Sequence, residues 1–241
     1  MNAKGTGFAL RAVVIAATVS FAAPALADPP IGSRIDRSGP GLTGKYDPRH
    51  SKSARPAINA YLRCSAALNM SGALKVLGAE FRSSEQLALA DDFLPRVTIS
   101  DDRTENCFGN FGSAALRFEP ITVVGALAEY FVVERYRSKA IADIAGLTRE
   151  EWQSAALTPR NASEALGMCV AEARPDLVLE LVESEPESAA ETTAIGEIVP
   201  LLSPCLPVGF EASFDAPALR TILAFGFYRT LSQIQEMRRA S

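Results

Sequence analysis

The sequence predicts an all-α fold of two tandem helical units, arising from an internal duplication and each closed by one disulfide. Three observations predict it. Apolar residues recur at three- and four-residue spacing, with no sustained alternation and no Asn-Gly hairpin turn. Helix-start patterns stand in front of those stretches. Four cysteines fall two per half among landmarks that repeat along the chain. With 48% hydrophobic and 22% charged residues in 241, there is enough apolar material for a substantial core.

The N-terminal stretch carries Lys4 and Arg11, then the apolar run "AVVIAATVSFAA", then "PALADPP" with Ala25 and Ala27 at small-residue positions. That order predicts a secretory signal peptide over 1–27, cleaved after Ala27. The apolar run falls short of the roughly 20 residues a membrane span requires. Residues 28–52 are rich in Gly, Pro, Ser and charge, and they hold His50, the only histidine. Too little apolar surface is available there to offset ordering entropy, so the segment reads as a flexible leader.

The first helical unit spans 53–140. Pro56 suits a first helical turn, and Ile58, Tyr61, Leu62, Ser65 and Leu68 follow at helical spacing, with Gly72 as the expected terminator. Ser83 and Gln86 have capping-box spacing. Residues 121–133 are apolar almost all round, which predicts a buried helix. Glu129 interrupts that run, and a buried carboxylate needs a partner. Residues 141–157 read as a connecting helix, with Thr148 and Glu151 as a second capping box. The second unit spans 158–241. Asn161 and Glu164 repeat the cap spacing, Pro175 stops one helix, and Asp176 is placed to cap the next.

Aligning Cys64 with Cys169 sets Arg55 on Arg160, Leu74 on Leu179, Glu80 on Glu185 and Pro95 on Pro200. The register then slips by about seven residues, where a loop tolerates insertion. Pro120 and Pro217 next open two apolar segments with aromatic pairs, Tyr130-Phe131 and Phe227-Tyr228. An exported chain with four cysteines is expected to form disulfides, and four cysteines allow three connectivities. Inheritance of one bond per duplicated unit selects Cys64–Cys107 and Cys169–Cys205, each tying a helix to an irregular stretch. No C-x-x-C occurs and no histidine lies in the folded part, so neither a metal nor another cofactor is expected.

Composition excludes several function classes. Removal of Lys4 and Arg11 leaves 22 Lys+Arg against 28 Asp+Glu. A net acidic chain is poorly suited to nucleic acid or to an anionic membrane surface. The single histidine in the leader leaves no base for a Ser-His-Asp mechanism. Paired carboxylates are the remaining catalytic option, with Asp91, Asp92, Asp101, Asp102, Glu119 and Glu129 available. The leading expectation is a periplasmic or secreted, non-catalytic module that binds a protein or small molecule outside the cytoplasm, in the groove between units. The alternative is a carboxylate-dependent hydrolase acting on an envelope polymer or saccharide. Arg55, Arg160 and Glu129 are the candidate binding residues, the two arginines as a matched pair for an anionic group.

Overall fold

A computed structural model describes residues 54–93, 107, 119–153, 157–207 and 213–240. The signal-peptide and leader expectations, His50, Asp101 and Asp102 lie outside the described residues. Within them every regular element is helical.

The first half runs through α1 (Ala54–Leu68), α2 (Met70–Gly78), α3 (Ser84–Phe93) and α4 (Pro120–Phe131). A π-helical turn, Val132–Tyr136, continues α4 and leads to the short α5 (Ala140–Ala145) and α6 (Arg149–Trp152). The second half holds α7 (Ala162–Ala173), α8 (Pro175–Glu183), α9 (Ala189–Cys205) and α10 (Ala216–Ala240).

Each half wraps shorter helices around one buried helix. α4 is covered by α1, α2 and α3, and α10 by α7 and α8, while α9 packs on α7 and α8. α4 and α10 then pack on each other, which makes one core of both halves. The apolar run of α4 explains its placement: Val123, Val124, Leu127, Ala128 and Phe131 are all fully buried. α10 buries Leu223, Ala224, Phe225 and Phe227 equally completely, while its last turn carries exposed Arg238 and Arg239. Basic residues there complement the helix dipole.

Two close approaches set the crossings of α10. Gly167 of α7 meets Gly226: a Cβ on Gly226 would stand 2.5 Å from the Gly167 backbone. On the other side, a Cβ on Gly125 of α4 would meet the Thr221 hydroxyl at 2.6 Å. These helices approach closely because glycine leaves room for the neighbouring backbone or side chain.

Several local features of the two halves coincide. At an offset of 105 residues α2 and α8 share both bounds, α1 and α7 share an end, and α3 and α9 share a start. The two non-glycine residues with positive φ, Arg82 (61°) and Glu187 (66°), stand at the same offset. Each precedes a serine N-cap: Ser83 Oγ accepts from Gln86 N–H, and Ser188 Oγ from Glu191 N–H. The cap side chains reach back to the residue before the serine. Arg82 N–H donates to Gln86 Oε1, and Glu187 N–H to Glu191 Oε2.

Two disulfides join Cys64 to Cys107 and Cys169 to Cys205. These are the pairings that inheritance of one bond per unit selects. Cys205 sits in regular structure, however, at the end of α9, which continues through Pro200 and Pro204. Three further expectations are corrected. Gly72 does not end α1: Asn69 caps α2 by accepting from Gly72 N–H, and a Cβ on Gly72 would collide with that asparagine. Asp176 is bound sideways by Arg174 at 2.7 Å, with Pro175 opening α8 instead. The connecting segment is two short helices, because the Thr148–Glu151 capping box starts α6 afresh after α5 has ended at Ala145.

Candidate functional site

Glu129 is 3% exposed and Arg220 is 3% exposed, and they face each other where α4 meets α10. Both fall in apolar helix faces, where a lone charge would be expelled, so each makes the other tolerable. The pairing is bidentate: Arg220 Nε donates to Glu129 Oε1 at 2.7 Å and Nη2 to Oε2 at 2.9 Å. The rest of the guanidinium reaches the turn between α8 and α9. Nη1 donates to Glu191 Oε1 (3.2 Å) and Ser184 Oγ (3.1 Å), and Nη2 to the carbonyls of Ser184 (2.9 Å) and Val182 (3.2 Å).

The first turns of α1 close the cluster. Asn59 Nδ2 donates to Glu129 Oε2 at 2.8 Å, and Arg55 donates through both terminal nitrogens to Glu191. Two arginines therefore face two glutamates. Burial raises the Glu191 carboxyl pKa, but the Glu187 N–H and the Arg55 and Arg220 guanidinium groups outweigh it and hold the group below its usual range. Burial lowers the Arg220 pKa, and Glu129 and Glu191 more than reverse that. Arg55, Asn59, Thr122, Glu129, Arg220 and Thr221 line a cavity of about 50 Å³ at this junction.

A second cluster holds the halves together elsewhere. Glu164, fully buried at the start of α7, accepts from the side chain and backbone of Arg160 and from Phe81 N–H of the first half. Arg160 also donates to the carbonyls of Gly78 and Ala79, both at 2.9 Å, and Asn161 Nδ2 to that of Phe81. Burial again raises the Glu164 pKa and the Arg160 and Phe81 donors bring it below the usual value. The Phe81 ring lies 4.7 Å from that of Phe225 on α10. The start of α7 thus grips the α2–α3 turn, while the start of α1 grips the α8–α9 turn.

The structure brings two of the sequence-predicted residues, Arg55 and Glu129, to one cavity. Arg160 belongs to the other cluster. The matched arginines do not share an anion site, since each is occupied by a glutamate of this chain. Arg220 was missed by sequence reasoning, although an arginine in the apolar stretch "PALRTILAF" carries the same anomaly as Glu129. Asp91, Asp92 and Glu119 are exposed and stand outside this cavity lining. No group of three or more His, Cys, Asp or Glu among the described residues is arranged to hold a metal.

Chemically the junction is saturated. Its carboxylates are bound to guanidinium groups, whereas a general acid needs a carboxyl held protonated near neutral pH. Comparison of the chain with protein-family models, with curated proteins and with solved structures gives no match.

Proposed function

We propose that this chain is an exported helical module, formed by duplication of a disulfide-stapled unit, that binds a partner outside the cytoplasm without catalysing a reaction on it. The observation that carries the reading is the self-satisfied junction around Arg220. Glu129 and Glu191 both contact the Arg220 guanidinium there, at 2.7 and 3.2 Å. A cavity of about 50 Å³ leaves no room for a sugar ring, against the several hundred Å³ of usual ligand pockets. The groove between the units is filled by structural charge pairs, so binding falls to the outer surface. The paired cysteines support an oxidising compartment, and no described helix is long and apolar enough to cross a membrane. The common bounds of α2 and α8 and the matched turns at Arg82 and Glu187 support the duplication.

The test has three readouts, the first two on protein purified after export. Its N-terminal peptide should begin at Asp28. Incubation with insoluble envelope polymer should release no new reducing ends or amines, while in-cell photo-cross-linking yields discrete adducts on outer-face positions. Enzymatic release of soluble fragments, lost in Glu129→Gln or Glu191→Gln, would overturn the reading and establish the hydrolase.

A further inference from the structure

Outside the junction, a surface groove of about 550 Å³ lies beside the π-helical turn, between that turn and α8. This volume lies within the range of small-ligand sites. The π turn departs from regular α-helical geometry at the end of α4, a deviation frequent at functional sites. It spans Val132–Tyr136, and Arg135 and Arg137 are among the residues that line the groove.

The lining divides by chemistry. Val133 and Leu179 are its apolar lining residues, Leu179 belonging to the core and Val133 packing against it. Arg137 is engaged by Glu183 across the groove at 2.6 Å, and Glu134 by Arg63. Arg135 differs. Its guanidinium carbon lies 5.7 Å from the centroid of the Phe131 ring, and it has no carboxylate partner among the described residues. An aromatic face steadies a guanidinium while leaving its N–H fork open. Ser138, on the same rim, is exposed.

From this arrangement we infer that the groove takes a carboxylate carried next to an aliphatic side chain, as at the C-terminus of a peptide ending in a residue such as leucine or in a free apolar amino acid. The carboxylate accepts from the Arg135 fork and the Ser138 hydroxyl, and the aliphatic group covers Val133 and Leu179. A planar fork matches a carboxylate in two parallel hydrogen bonds. The Arg137–Glu183 pair stands as the polar wall. The inference rests on the binding-module reading and names its ligand class.

The experiment titrates the full mature protein with N-acetyl-Ala-Leu as the free acid, with the same dipeptide as its C-terminal amide, and with free leucine, following backbone amide shifts by NMR. Saturable shifts at 132–138 with the free acid are expected. The amide and the Arg135→Ala variant should bind about tenfold or more weakly, the effect of losing one charge-assisted hydrogen bond. Arg174→Ala, outside the groove, should bind as the parent does. Tighter binding of the dipeptide than of leucine identifies a chain end, and the reverse a free amino acid. Equal binding of acid and amide, indifference to Arg135→Ala, or absence of saturation at millimolar free acid would overturn the assignment. The cross-linking result above is independent of these outcomes, so loss of the groove is distinguishable from loss of the binding reading.

Discussion

Replacing Arg220 by methionine keeps much of the side-chain volume and removes the charge at the centre of the junction. Glu129 would then retain only Asn59, and Glu191 would retain Arg55 and the Glu187 N–H. The carbonyls of Val182 and Ser184 would each lose a donor. Breaking a buried pair by removing one partner costs about 3–5 kcal/mol, because the other charge stays buried. For a chain of this size that corresponds to a fall in Tm of roughly 6–20 °C. Glu129→Leu alone should cost a comparable amount by stranding Arg220 beside Glu191. The double variant Glu129→Leu/Arg220→Met leaves neither charge, and Glu191 keeps Arg55, so its loss should fall well short of the two single losses added together. Urea unfolding followed by circular dichroism, with disulfides intact, measures all three. If Arg220→Met costs under about 1 kcal/mol, or if the losses simply add, the charges are not coupled as the geometry requires.

Four other perturbations separate the remaining contributions. Glu164 and Glu191 have carboxyl pKa values lowered on folding from an ordinary 4.5, so their stabilisation is full above that value and is lost as pH falls through the folded values. Urea midpoints should therefore hold between pH 5 and pH 7 and drop below about pH 4.5, and Glu164→Gln should flatten that acid limb. Gly226→Ala should cost about 1–3 kcal/mol or more by pushing α10 off the Gly167 backbone. Gly196→Ala in α9, where a Cβ meets nothing within 4 Å, should stabilise by up to about 1 kcal/mol in thermal melts. Opening either disulfide by paired Cys→Ala substitution removes a closed loop of 43 or 36 residues and should cost up to about 4 kcal/mol by chain entropy. A loss near zero for Cys169→Ala/Cys205→Ala would mean that α9 is held by packing alone.

Local signals in the sequence carried well where the physics is local. Ser83, Thr148 and Asn161 all cap the helices they precede, because a cap depends on residues three apart. The apolar circumference of α4 identified a buried helix, and the same reasoning marked Glu129 as needing a partner. That partner lies 91 residues away, and no local pattern identifies which distant arginine meets it. Arg55 and Arg160 are matched in sequence, yet one serves Glu191 and the other Glu164, because Asn59 stands where the second half has Glu164. Pro200 and Pro204 resemble breakers, but α9 accommodates them, and Cys205 is helical as a result. The groove beside the π turn had no sequence signal, since a π turn comes from how α4 continues past Phe131 and has no residue code of its own.

The separation between Glu129 and Arg220 also has a meaning in time. A growing chain adds about 5–20 residues per second, so the glutamate emerges on the order of 5–20 s before the guanidinium that neutralises it. During that interval α4 would have to bury an unpaired carboxylate, and the turn that Arg160 grips stands equally unheld. The first half is thus penalised for closing early. In a chain threaded across a membrane, such a delayed latch would keep the polymer pliable until its last helix arrives.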